Sequence, residues 1–430
     1  MPKRDSPASV TIFSYQVGFG DCFLLRFSYP TRARHVLIDF GTTGLPADAA
    51  GNRLLDIARD IAGKCNGRLD AVVATHRHAD HISGFATRSD GKGPGDVIRS
   101  LDPRVVIQPW TEQPDAGRAA LQPKLGSPQA LRAQANALTN MRKVSEQVVR
   151  LLDSRPTAFA PKLAAQLRFI GEDNLANISA VRNLATMAPR QVYTYHGGPS
   201  GLGAILPGVK THVLGPPTLR QSEAIRRQRA RDPDEFWQLQ LHRLSEDRGG
   251  PGGTDVLFPR FVAHRGGKLP MSARWLAYRL RDMLGEQMLQ LVRALDRQIN
   301  NTSLILLFET AGKKLLFPGD AQIENWQFAL ANAKYRTLLA DVDLYKVGHH
   351  GSLNATPRSM WDQFRKKGSS TKRGRLKTVL STRPGKHGNV ETRTEVPRAT
   401  LLAELQAHSE LHSTHTLASN RLYQEIHIDF

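Results

Sequence analysis

The feature that most constrains this chain is the stretch Ala71 to His81, AVVATHRHADH, in which a short apolar run opens directly onto His76, His78, Asp80 and His81. Ala71 to Ala74 is apolar and β-prone, as a buried strand is, and the residues after it form the loop at its mouth. Imidazole and carboxylate are the ligands that borderline divalent ions such as Zn²⁺ or Mn²⁺ accept. In an extended segment alternate residues point the same way, which turns His76, His78 and Asp80 to one side and leaves His81 at the turn. A polar loop with chance histidines is the bland alternative. The density of ligand types straight after a buried strand weighs against it.

At 430 residues the chain has room for a sandwich of about 250 residues with sizeable insertions. A hydrophobic fraction of 40% fits a soluble globular protein. No run approaches the roughly 18 to 20 apolar residues of a membrane span, and the N-terminus MPKRDSPASV lacks the apolar core of a signal peptide. The expected location is therefore cytoplasmic, with no membrane partner. Cys22 and Cys65 are too few for a disulfide framework and are expected to be reduced thiols near the core. Lys and Arg outnumber Asp and Glu by 59 to 39, a formal charge of +20. Such an excess favours polyanionic partners, nucleic acid above all.

Before the histidine cluster, Val10 to Phe13, Val17 to Phe27 and His35 to Gly41 read as strands of a hairpin-rich layer, and Asp39 is a carboxylate held at a strand end. Ala49 to Ala62 has helical spacing, and Arg104 to Gln108 is another core strand. Residues 112–190 and 218–299 are expected to be helical, basic insertions within a single domain spanning 1–430. The second contains Arg226, Arg227, Arg229, Arg231 and Arg243 interleaved with Phe236 and Trp237, then an amphipathic stretch from Ser272 to Gln298. Lys372, Arg373 and Arg375 add to the basic surface.

Beyond the insertions, Asn300 to Phe308 and Lys314 to Asp320 form a hairpin that ends in a carboxylate. A Gly-Asp at the end of a buried strand is a poor structural choice unless that charge is paired. Next, Glu324 to Leu339 reads as one helix, and Lys346-Val-Gly-His-His-Gly-Ser352 is a second junction of strand and loop. Adjacent histidines on a strand cannot both face one metal. One of His349 and His350 therefore ligates or protonates a leaving group, while the other braces it. Val379 to His387 supplies Ser381 and His387 after a further strand.

The spacing H-x-H-x-D-H resembles the signature of the metallo-β-lactamase-fold hydrolases. The pairing of V-G-F-G-D with L-I-D-F-G, and K-V-G-H-H-G-S, are similar to one branch of them, the hydrolase domain of the competence protein ComEC and its stand-alone relatives. Phe19 and Phe40 stand where that branch usually has Gln and Gly. The resemblance implies an α/β fold, the αββα four-layer sandwich with the insertions added, holding two divalent ions, Zn or Mn with Mg possible. It makes His76, His78, Asp80, His81, Asp320 and His349 the metal ligands, with Asp320 bridging and Asp80, His349 and His350 catalytic. Asp39, Asn300, Asn301 and His387 would line the pocket. An asparagine stands at Asn300 or Asn301 where most members carry a histidine, and His387 lacks the proline that usually follows it.

These features together point to a metal-dependent nuclease. Arg226, Arg227, Arg229, Arg231, Trp237, Lys372, Arg373 and Arg375 would hold nucleic acid. The alternatives are a small-molecule hydrolase acting on a nucleotide or acyl compound, and a partner-docking subunit with a regulated metal site. Some stand-alone relatives act beside NTPases in bacterial defence. The chain has no P-loop, so an NTPase would be a separate protein.

Overall fold

Strands with large apolar side chains on both faces need cover on both sides, and that dictates four layers. The computed structural model describes residues 6–49, 51–113, 178–218, 221–222, 302–352, 356–388 and 395–430. In β1 (Ser9–Tyr15), Val10 and Ile12 face inward while Phe13 and Tyr15 face out, and both sets are buried. β2 (Cys22–Ser28) and β3 (Ala33–Phe40) repeat the pattern and extend β1 as an antiparallel meander.

From β3 onward the pairing becomes parallel, through β4 (Ala71–Val73), β5 (Val105–Pro109) and β6 (Gln191–Thr194), while the last strand of the chain covers the far edge beside β1. Helices α1 (Arg53–Lys64), α2 (Ala79–Ile82), α3 (Pro94–Ser100) and α4 (Ile178–Thr186) belong to this half. Ile57, Ala58 and Ile61 of α1, at helical spacing, pack with Ile98 of α3 and Leu184 of α4 on the sheet's outer face. Residues 178–186, expected at the end of the first insertion, are thus part of the sandwich. The remainder of both expected insertions lies almost wholly outside the described residues.

The second half repeats the plan. β7 (Lys210–Gly215), β8 (Ile305–Thr310) and β9 (Lys313–Phe317) are antiparallel. β10 (Leu344–Lys346), β11 (Lys377–Leu380) and β12 (Glu410–Ser413) continue in parallel. The β8–β9 hairpin closes through Ala311 and Gly312, both with positive φ (46° and 81°), the geometry of a tight primed turn. Helices α5 (Ile323–Ala331), α6 (Ala333–Ala340), α7 (Arg358–Trp361) and α8 (Ala399–His408) cover its outer face through Trp326, Leu339, Trp361 and Leu405. β13 (Tyr423–Asp429) returns to pair with β1. The single helix expected over 324–339 is two. At Asn332 the backbone turns extended, and its side chain accepts the Lys334 N–H at 3.0 Å to start α6.

Between the sheets lies a layer built from Phe23, Phe27, Val73, Phe308, Phe317 and Leu344 among others. The order α, β, β, α is the expected four-layer arrangement. No helix of the described residues is long and apolar enough to cross a membrane.

Both cysteines are buried in the outer layer of the first half. Burial pushes the Cys65 thiol up to about 12, and burial with Asp39 and Asp21 nearby raises Cys22 well above its usual value. At pH 8 both are therefore thiols and not thiolates. Neither is expected to react with a disulfide reagent in the folded protein, and both should react once it is unfolded in guanidinium. Rapid native labelling of either would contradict this burial.

Candidate metal centre

The ends of β3, β4, β9, β10 and β11 converge on one edge of the sandwich, because parallel strands deliver their C-terminal loops to the same side. There, Asp39 sits in left-handed backbone at φ 55°, a conformation that aspartate tolerates better than most residues. Its Oδ1 accepts the Thr75 N–H at 2.7 Å, and its Oδ2 accepts the Thr75 hydroxyl at 2.7 Å and His81 Nδ1–H at 2.8 Å. With Nδ1 thus engaged, His81 turns Nε2 inward, 3.1 Å from Asp320 Oδ2.

His350 is held in the same way. Its Nδ1 donates to the Ser381 carbonyl at 3.0 Å, and its Nε2 lies 2.8 Å from Asp80 Oδ2 and 3.8 Å from Asp320 Oδ2. Asp80, His81, Asp320 and His350 therefore gather ligand atoms within 4.8 Å of one another, and His76, His78 and Asp80 form a second such group. His76 Nε2 meets His78 Nδ1 at 3.1 Å. Every residue of both groups is buried. Gly41 makes this approach possible: a Cβ there would stand 2.5 Å from the Ala79 carbonyl oxygen and 2.6 Å from the Asp80 carbonyl carbon.

The sequence left open which of His349 and His350 faces the centre, and the turn that carries them separates the two. The turn after β10 is not extended: His349, His350 and Gly351 all have positive φ, 43°, 53° and 83°. This left-handed turn sends His350 into the centre and leaves His349, the expected ligand, at the rim. His349 Nδ1 pairs with Ser352 Oγ at 2.9 Å, its Nε2 is 3.8 Å from Asp320 Oδ2, and its side chain is 22% exposed. Its main-chain N–H donates to Asp320 Oδ1 at 3.1 Å, so it also braces that carboxylate.

Two residues outside the sequence-level site complete the floor. Asp21 is buried before β2, and Lys346 is buried at the end of β10 and ion-paired to it. Both stand within motifs visible in the sequence, V-G-F-G-D and K-V-G-H-H-G-S, and a lysine on an otherwise apolar strand is the signal that could have found them. Phe19 packs on His350 at 4.4 Å between ring centroids and on His387 at 4.3 Å. His387 therefore stands behind Phe19 and enters neither donor group. Burial and Lys386 push it down to about 3, so it is neutral. Lys372 donates to the carbonyls of Arg365 and Lys367, and Arg375 to those of Gln406, Ala407 and Ser409. With Arg373 they precede β11, at the end of that strand opposite Ser381 and the centre. Asn300, Asn301, Arg226, Arg227, Arg229, Arg231 and Trp237 lie outside the described residues.

The electrostatics suit a cation. Burial works to raise the carboxyls of Asp80 and Asp320, yet the surrounding imidazoles, His81 foremost, hold both below the usual range. Burial works against protonation of His81 and His350, but the same carboxylates raise both. His76 and His349 are lowered, chiefly by burial. Asp80 Oδ1 is buried with no hydrogen-bond partner among the described residues. Buried carboxylates, imidazoles with Nδ1 already engaged, and an acceptor lacking a donor are what divalent ions require, and the ions would replace the protons on His81 and His350.

Residues 15–126 match the Metallo-beta-lactamase superfamily. The matched stretch takes in Asp21, Asp39 and the whole H-x-H-x-D-H loop. No curated protein matches the chain. The match implies a metal-dependent hydrolase, and the two donor groups are where its ions would be held.

Proposed function

We propose that the protein is a metal-dependent phosphodiesterase acting on nucleic acid, of the ComEC-like stand-alone kind. The observation that carries the reading is the pair of donor groups sharing Asp80, with four-residue and three-residue sets side by side at one sheet edge. Zn or Mn, with Mg as a further candidate, would be held by His76, His78 and Asp80 on one side and by Asp80, His81, Asp320 and His350 on the other. When bound, such ions supply Lewis acidity and an activated water at neutral pH.

The chain's own residues do the rest. Asp39 and the Ser381 carbonyl fix the tautomers of His81 and His350, and His349 at the rim is placed to pass a proton to the departing oxygen. The formal charge of +20 favours a polyanionic substrate over a lactam or thioester.

The test is incubation with labelled single- and double-stranded DNA and RNA in Mn²⁺, Mg²⁺ or Zn²⁺, beside an Asp80→Ala/His81→Ala control. Cleavage by the wild type alone is expected. Cleavage equal in both, or absent with every metal, would overturn the nuclease reading. Turnover confined to nucleotides or acyl esters would move the assignment to a small-molecule hydrolase. Co-purification with an NTPase would add the partner that this chain lacks.

A further inference from the structure

Lys346 ends a strand whose other residues, Leu344 and Tyr345, are fully buried, and its own side chain is 1% exposed. Its ammonium is paired to Asp21 Oδ2, lies 3.7 Å from Asp320 Oδ1 and donates to the Gly319 carbonyl at 3.3 Å. Asp21 reaches both halves of the centre. Its carboxylate lies 3.6 Å from His81 Nδ1 and 3.6 Å from His350 Nδ1, and its main-chain N–H donates to the Asp80 carbonyl at 2.9 Å. Asp21, Asp39, Asp80 and Asp320 crowd four carboxylates into one buried volume. Among the described residues, Lys346 is the one side-chain ammonium in contact with them.

We propose that Lys346 is a resident cation of this centre, a positioning residue whose ammonium neutralises Asp21 and Asp320 and thereby sets how tightly divalent ions are held. The inference rests on the metal-centre reading above. Carboxylates packed together in a low-dielectric site repel strongly, and an unpaired buried charge is costly. Lys346 supplies one unit of positive charge that does not leave with the metal. It stabilises the metal-free fold, and for the same reason it weakens the attraction that the site exerts on an incoming cation. Asp21 has the opposite sign and the opposite effect.

The experiment compares the melting temperature of the full chain after EDTA treatment with that after loading with Mn²⁺ or Zn²⁺, and metal retained per chain after dialysis, for wild type and variants. Lys346→Met should lower the metal-free melting temperature and widen the gap between the two states, with an apparent metal dissociation constant about tenfold tighter, the size of an outer-shell effect. Asp21→Asn should narrow the gap. The double variant should return it to the wild-type value, and Lys346→Arg, which keeps the charge, should leave it unchanged. A lysine that merely packs would lower both melting temperatures equally, and that result overturns the proposal, as does a double variant with the gap of Lys346→Met. Should Lys346→Met fail to fold in either state, Asp21→Asn decides alone, and an unchanged gap there overturns the proposal. A wild type with no gap and no retained metal overturns the metal centre itself, and the proposal with it.

Discussion

Asp320→Asn is expected to lower hydrolysis of the proposed nucleic-acid substrate by about a thousandfold or more, with one fewer metal ion retained per chain. Asp320 stands between the halves of the site: its Oδ2 faces His81 Nε2 at 3.1 Å and His350 Nε2 at 3.8 Å, and its Oδ1 accepts the His349 N–H at 3.1 Å. The amide keeps the volume and removes the charge, and it aims an N–H₂ group at neighbours that are themselves donors or cations. Some stability should be lost as well, because Lys346, His81 and His350 lose a buried counter-charge. Turnover and metal content, measured on the same preparation, check this. Activity within tenfold of wild type would mean that the centre works without the carboxylate at its middle, and would sink the dinuclear reading.

Asp39→Ala is expected to cost stability first and activity as a consequence. The carboxylate accepts three buried donors, Thr75 N–H, the Thr75 hydroxyl and His81 Nδ1–H. An unsatisfied buried donor costs about 1 to 3 kcal/mol, so the loss should reach about 3 kcal/mol or more. Alanine also fits the left-handed backbone at φ 55° less well than aspartate. Released from Asp39, His81 is free to flip its tautomer, so metal retention should fall even where the variant is folded. Asp39→Asn, which keeps one acceptor oxygen, should lose less. Equilibrium unfolding in urea with metal analysis separates the two effects. A loss under about 1 kcal/mol for the alanine variant would show that these bonds do not hold the loop.

How much of this was legible depended on whether the signal was local. The strands were, since β3, β4, β5, β8 and β9 each carry an apolar run of three or four residues, and burial on both faces of such a run leaves no other pattern. The histidine cluster was legible too, because four ligand-type residues in six positions need no partner to be noticed. Helix 324–339 was misread as continuous because a cap such as Asn332 shows itself only when its backbone turns. His349 and His350 could not be ranked, since both are the same residue type at one strand end. Their roles depend on a left-handed turn that local propensity does not announce. Asp21 and Lys346 do not stand out in the sequence because, taken singly, each is an ordinary charge in a motif. Only their burial together makes them a pair.

The sequence by itself determined the layered α/β architecture, the H-x-H-x-D-H loop and the carboxylate at Asp320, because each is written in contiguous residues whose chemistry has few other uses. Tertiary structure alone decided which donor residues gather within reach of one another, that His350 enters the centre and His349 stays at its rim, that His387 stands behind Phe19, and that Lys346 lies beneath the carboxylates. The reason is physical. Ligation and charge compensation are properties of atoms within a few ångströms of one another, and residues as far apart in the chain as Asp21, Asp80, Asp320 and His350 come within that range only when the parallel strands of both sheets deliver their ends to one edge.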